Sequence, residues 1–381
     1  MKILNVNHLL DPVSGGGTAE RTVQLARFLK QQGTETAILT LDIGETKPYE
    51  QQLTQIPIFK LPCINRRYYV HASWPRQIHK IVAQFDVIHL MGHWTLLNAI
   101  VALVCVRLKK PYVVCPAGSL KAYGRSTRLK RLYDLLIGRW LIKHAHAWIA
   151  ITEDEKQDFL AYGIAPQSVK VISNGIDPTQ YQLTDPIASL PPRLEEIMGR
   201  HPYLLFLGRL HWIKGPDLLL EAFISVADQF PDVHLLFAGP DAGMLQTLQG
   251  MSADSDVYEK IHFLGYVGGR DKVSLLNGAI SLVIPSRNEA MSVVVLEAGI
   301  CSVPVIFTDR CGLNDLAQAD AGYMVEVDAA DISRGLAQVL SNPQDRQRIA
   351  GNLGDIIKRD YLWINKARQY QDIYKALLHD H

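Results

Sequence analysis

Two short clusters in the second half of the chain carry residue types suited to holding an anion. The first is Leu207-Gly208-Arg209-Leu210-His211-Trp212-Ile213-Lys214-Gly215. It lies between an apolar run, Tyr203–Leu207, and an amphipathic one, Pro216–Gln229. These read as a strand and a helix, so Arg209 and Lys214 fall in a loop at a strand's carboxyl end. Two cations beside a helix start form a natural anion site. Gly208 and Gly215 let the backbone turn tightly and approach a ligand. A solvated loop with chance charges is the plainer alternative.

The second cluster is Pro285-Ser286-Arg287-Asn288-Glu289-Ala290-Met291-Ser292-Val293-Val294-Val295-Leu296-Glu297-Ala298. It follows another apolar run, Leu282–Ile284. A helix starting near Ser292 points its free N–H groups back at the loop, where they can hold phosphate. Glu297 stands eight residues after Glu289 in an otherwise apolar helix. A buried carboxylate there needs hydroxyl, N–H or cationic partners. A ribose diol fits, and so do structural backbone amides.

A third cluster, Ser14-Gly15-Gly16-Gly17, sits between the first strand and helix. Gly16 and Gly17 allow close approach of a ligand. Thr18-Ala19-Glu20 follows, so this is not a dinucleotide fingerprint, which weakens a nicotinamide dehydrogenase reading.

These loops need a scaffold, and the apolar rhythm supplies one. In the first half Lys2–Asn7, Thr36–Leu41, Val87–Leu90, Tyr112–Cys115, Ala147–Thr152 and Val169–Ile172 read as strands. Helices are expected at Ala19–Gln32, Thr95–Lys109, Thr127–Lys143 and Glu153–Tyr162. The rhythm restarts at Tyr203–Leu207 and continues through His234–Ala238, Ile261–Leu264, Leu282–Ile284 and Val303–Phe307. Helices accompany these at Asp271–Ala279, Val293–Ala298 and Ala330–Ser341. Strands alternating with helices predict parallel sheets covered on both faces. The fold class is therefore α/β, with two Rossmann-like, doubly wound parallel-sheet domains whose ligand-binding ends face across a cleft. The expected boundaries are 1–175, a Pro-rich linker at 176–202, a second domain at 203–361, and a terminal helix at 362–381 returning to the first domain.

Composition narrows the function classes. The chain has 381 residues and a formal charge of +1, so nothing suggests bulk nucleic-acid binding. Its five cysteines include no CxxC pair and read as reduced core thiols. No metal is expected, and His144 and His146 lack a third ligand. The N-terminus lacks the pattern of a signal peptide, and the apolar run near Ile100–Val106 is too short to span a membrane. A cytoplasmic protein is expected, with attachment to the inner face of a membrane left open.

The clusters, taken in order, resemble the family 4 retaining glycosyltransferases (glycosyl transferases group 1, GT-B fold). The resemblance also uses Asn174-Gly175-Ile176-Asp177, Glu221-Ala222-Phe223 and Phe263-Leu264-Gly265-Tyr266-Val267. It implies that Arg209 and Lys214 hold a donor diphosphate and that Glu289 bonds hydroxyls of the transferred sugar. By the same likeness Glu297 bonds the ribose, and backbone at Ser292, Val293 and Val294 meets the phosphates. Gly265, Tyr266 and Val267 lie against the base, and Gly16 and Gly17 approach the phosphate from the other domain. The implied activity is transfer of a hexose or amino-hexose from a UDP- or GDP-sugar to a glycan or lipid-linked acceptor in polysaccharide or glycoconjugate biosynthesis. No cofactor or metal is needed. Arg209, Lys214 and Glu289 are the expected catalytic residues. One departure is Ala117 in Cys115-Pro116-Ala117-Gly118-Ser119, where many members carry His; His93 is a candidate substitute. A sugar-nucleotide epimerase and a non-catalytic binding partner are the competing readings.

On the acceptor side, His93, Ser119, Lys121 and Arg125 are the candidates. The stretch 121–143 holds seven Lys and Arg against Asp134 alone, a local balance of +6. Leucines interleave with these cations. The segment reads as a contact for an anionic membrane surface or a lipid-diphosphate acceptor, or as an ordinary helix with its apolar face inward.

Overall fold

The computed structural model describes residues 1–12, 14–65, 70–71, 75–121, 127–182, 199 and 201–379. It divides into two compact units, Met1–Gly175 with Trp363–His381, and Ile176–Leu362. Most of the expected linker, 183–198, lies outside the described residues.

In the first unit, strands β1 (Lys2–Val6), β2 (Glu35–Asp42), β3 (Ile58–Asn65), β4 (Val70–His71), β5 (Val87–Met91), β6 (Tyr112–Cys115), β7 (Ala147–Ala150) and β8 (Val169–Val171) form one sheet. Its order is β4-β3-β2-β1-β5-β6-β7-β8, and every pairing is parallel except the β3–β4 edge hairpin. The order reverses between β2 and β5, on either side of β1, which puts the crossing loops at the carboxyl ends there. β5 and β6 are buried throughout, as strands covered on both faces must be. β3, absent from the expected strands, carries Pro62 and sits beside the edge.

The helix Trp363–His379 belongs to this unit and packs on the helix Gly16–Gln31. Between them lies Arg21, 1% exposed. It donates to Asn174 Oδ1 at 2.7 Å, Ile172 O at 2.6 Å and Tyr370 Oη at 2.5 Å. The Trp363 and Tyr370 rings each lie 5.7 Å from its guanidinium carbon. A guanidinium stays charged even when buried, so this shell is what permits Arg21 in the core.

The expected continuous helix at Thr127–Lys143 is interrupted. It runs as α-helix over Thr127–Tyr133, as a π turn over Asp134–Gly138, and as α-helix again over Arg139–Lys143. The added residue per turn brings Asp134 against His93, and a side chain at Gly138 would collide with the Asp134 carboxylate. Of the alternatives for this segment, the ordinary helix with its apolar face inward does not hold for its leucines. Leu129, Leu132, Leu135 and Leu136 are all exposed.

The second unit is built on β9 (Tyr203–Leu207), β10 (His234–Ala238), β11 (Ile261–Gly265), β12 (Ser281–Ile284), β13 (Val305–Thr308) and β14 (Tyr323–Val325). All pairings are parallel, in the order β11-β10-β9-β12-β13-β14. The order reverses between β10 and β12, so the loops after β9 and β12 stand together at the carboxyl ends. Those are the two loops that carry the clusters expected to hold an anion.

Candidate donor site in the second unit

The loop after β9 passes through Gly208 and Arg209 into a 3-10 turn, Trp212–Lys214. Gly215 follows at φ 66°, and a Cβ there would collide with the carbonyl of Pro285. Glycine is therefore required both by conformation and by the contact between the two loops. Arg287 fastens them. Its backbone N–H donates to Ile213 O at 2.8 Å, and its guanidinium grips Asp217 through two bonds of 2.8 and 2.7 Å. It also donates to Trp212 O and lies 4.8 Å from the Trp212 ring centre. A bidentate, stacked guanidinium holds a fixed geometry better than an ammonium would.

This clamp sets Lys214 against Glu289, with Nζ 2.8 Å from Oε1. Ser286 Oγ donates to the same oxygen at 2.6 Å. The backbone N–H of Glu289 donates to Arg310 O at 2.8 Å, tying it to the loop after β13. Both side-chain partners fall on Oε1, so the acceptor capacity of Oε2 is unspent among the described residues. Arg209 is exposed, and its guanidinium makes no hydrogen bond or ion pair among the described residues, while its carbonyl accepts from His211 N at 2.8 Å.

The helix Val293–Ile300 begins at Ser292 without a side-chain cap. Val293 and Val294 are half-buried, and Ser292 Oγ is buried with no partner among the described residues. Its first-turn N–H groups are therefore open to an anion in the manner of any uncapped helix start. Glu297 sits one turn further on and is 7% exposed. Lys272 Nζ lies 3.0 Å from its Oε1, while Oε2 is buried and unpartnered among the described residues. Leaving such an acceptor bare costs about 1–3 kcal/mol, which a ligand hydroxyl would recover. Lys272 also lies 5.5 Å from the Tyr181 ring centre. Gly265 ends β11 at φ 70°, Tyr266 is 59% exposed and Val267 half-buried beyond it.

Sequence reasoning quoted Arg287 without giving it work, and it missed Lys272. Lys272 is 25 residues from Glu297 and shares no element with it, so no periodicity joins them. The only signal was the demand of a buried carboxylate for a cation.

The candidates in the first unit are spent differently. Gly16 and Gly17 are exposed and open the helix, which begins at Gly16 instead of the expected Ala19. Asp11 shapes the approach, accepting from Ser14 N at 2.6 Å and Glu45 N at 2.6 Å. His93 is not presented to solvent; it is 1% exposed, with Nε2 2.8 Å from Asp134 Oδ1. The rings of Trp94, Tyr133 and Tyr162 close around it at 4.6, 5.5 and 5.3 Å. Ser119 Oγ donates to Pro116 O, and its own carbonyl accepts from Trp94 Nε1. Lys121 pairs with Asp158 at 3.0 Å, and Arg125 lies outside the described residues. Ala117 adopts φ 52°, and the next amide, Gly118 N, donates to the buried Glu155 at 2.5 Å. Burial pushes the Glu155 carboxyl upward, against the pull of the Ile151 and Gly118 amides.

Comparison with known proteins agrees with this architecture. Residues 194–353 match the family described as Glycosyl transferases group 1, and residues 15–180 match Glycosyltransferase Family 4. An uncharacterized glycosyltransferase of Methanocaldococcus jannaschii is 24% identical, with 99% of each chain aligned. A D-inositol 3-phosphate glycosyltransferase of Corynebacterium urealyticum is 29% identical over 45% of this chain and 42% of its own length. Among solved structures, Anabaena HepE in complex with UDP and glucose superposes with a TM-score of 0.79 at 17% identity. That match covers 99% of this chain and 100% of the other, and it speaks for the fold. Two parallel-sheet α/β domains of this kind match the GT-B architecture of solved glycosyltransferase structures. The chain belongs to the family 4 glycosyltransferases.

Proposed function

We propose that the chain transfers a hexose or amino-hexose from a UDP- or GDP-sugar to a glycan or lipid-linked acceptor, with retention at the anomeric carbon. The observation that carries this reading is the second unit's paired carboxylates. Glu289 and Glu297 are each held by a lysine through one oxygen, leaving the other for a ligand hydroxyl. Beside them stand the uncapped start of Val293–Ile300 and the unengaged Arg209. A nucleoside diphosphate sugar offers what those groups want: two sets of hydroxyls separated by two phosphates. The crystallised HepE complex with UDP and glucose supports a uridine donor for a relative of this fold.

The chemistry follows from the charges. Heterolysis of the bond between the anomeric carbon and the phosphate oxygen sends the electron pair to the diphosphate. Arg209, Lys214 and the helix amides stabilise that developing charge, so no metal is required. The acceptor oxygen bonds to the cation-like carbon from the face the diphosphate is leaving. Its proton passes to the departing phosphate oxygen. Glu289, fixed by Lys214 and Ser286, orients the sugar hydroxyls while this happens.

A thermal-shift panel of UDP, GDP and ADP with their sugars tests the donor half of the reading. The matching nucleotide at about one hundred times its Kd stabilises the chain by about 2.7 kcal/mol. No shift with any of them, or a product of inverted anomeric configuration by NMR, overturns the proposal. Conversion of free nucleotide sugar without an acceptor would mark an epimerase instead.

A further inference from the structure

We infer that the outward face of the stretch 127–143 is a docking surface for an anionic lipid bilayer. Its exposed positions are Arg128 and Leu129, Arg131 and Leu132, Leu135 and Leu136, then Arg139 and Lys143. This recurrence follows the helical period, so all eight belong to one side of the stretch. The leucines on it are 51%, 48%, 76% and 72% exposed. A soluble helix normally turns its leucines inward and its charges outward, whereas here both lie outside.

The inward side explains the inversion. It carries the stretch's single acid, Asp134, which accepts from Tyr162 Oη at 2.9 Å and meets His93 at 2.8 Å. Tyr133 Oη donates to Thr95 O at 3.1 Å, and Leu141 and Ile142 fill the core below. These contacts fix the rotation of the stretch, so the leucines are held outward.

The outer face thus combines four leucines, four cations and no acid. An apolar layer beneath a negatively charged headgroup plane matches that pattern, with leucines entering the acyl boundary and cations remaining at the phosphates. Each cation near such a surface strengthens partition by roughly fivefold. No helix among the described residues is long and apolar enough to cross a membrane, so the contact is one of docking. This inference does not depend on the donor site.

The test is co-sedimentation of the full chain with phosphatidylcholine vesicles, with and without phosphatidylglycerol, at low and high salt. The chain is expected to sediment with the anionic vesicles at low salt and to be released by high salt, since screening shortens the reach of exposed charge. Leu135→Ser with Leu136→Ser, and separately Arg131→Gln with Arg139→Gln, should each weaken partition at least tenfold without moving the thermal midpoint. Three results overturn the proposal. One is no sedimentation at low salt. Another is wild-type partition by both double variants. The last is a dimer in analytical ultracentrifugation that the leucine variant converts to monomer, which would assign the face to a second copy.

Discussion

Buried or half-buried charge is used in opposite ways in the two units. In the second, Lys214 and Lys272 each meet a carboxylate through one oxygen and leave the other uncommitted. In the first, Arg21 spends its two terminal nitrogens on Asn174, Ile172 and Tyr370, and Asp134 spends both oxygens on His93 and Tyr162. Similar side chains are therefore left open to a ligand in one place and committed to architecture in the other. Unspent acceptor capacity separates the carboxylates: Glu297 Oε2 is buried without a partner among the described residues, whereas both oxygens of Asp134 are engaged.

That contrast can be broken by substitution. The largest effect is expected for Arg21→Met, which removes the donor to Asn174 Oδ1, the Ile172 carbonyl and Tyr370 Oη in the core. Loss of about 1–3 kcal/mol for each acceptor that loses its donor is expected in urea denaturation. Donor binding measured on the second unit's site should survive at temperatures where the variant remains folded. Next come Arg209→Ala and Lys214→Ala, each expected to lower kcat/KM by about 1.5–3 kcal/mol of transition-state stabilisation while leaving the thermal midpoint nearly unchanged. Normal activity in both variants would remove the anion site from the reading.

Acid should act mainly through buried neutral histidines. His89 is enclosed, 2.7 Å from Tyr374 Oη, and burial with the Arg21 charge brings its pKa down to about 3. The unfolded chain binds that proton near pH 6.5, so stability is full above this value and falls as pH drops toward 3. At pH 5 the loss is about 2 kcal/mol. Thermal midpoints measured between pH 7 and 4 should decline, and less steeply in His89→Leu. Some slope should persist through His234 in the second unit, held down to about 4 by burial and by His201, His262 and Lys260. The smallest change is Ala117→Gly. Ala117 sits in the left-handed region at φ 52°, so glycine should stabilise the turn by about 1 kcal/mol in the same denaturation assay.

Much of this was legible from residue order. Runs such as Tyr112–Cys115 and His234–Ala238 are wholly apolar or nearly so, and their ends mark the strands directly. β3 was hidden because Pro62 interrupts a pattern that an edge-side strand tolerates. The π turn was hidden for another reason: it depends on Asp134 reaching His93, a contact 41 residues long, and on Gly138 leaving room. Leucines at positions 129, 132 and 136 announce an apolar stripe, yet spacing alone does not say whether the stripe faces the core. Only the anchors on the opposite side decide that. The loops after β9 and β12 were readable as clusters, whereas the pairing of Lys214 with Glu289 joins residues on different strands' loops and emerges only from the sheet order.

The helix Trp363–His379 has a consequence for how the molecule is made. It supplies Trp363 and Tyr370 to Arg21's surroundings and Tyr374 to His89, yet it leaves the ribosome after every residue of the second unit. The unit translated first therefore waits for a helix translated after the second unit, and Arg21 lacks Trp363 and Tyr370 until that helix has emerged. A nascent chain stalled before residue 363 should expose that interior to chaperones while its second unit is already closed.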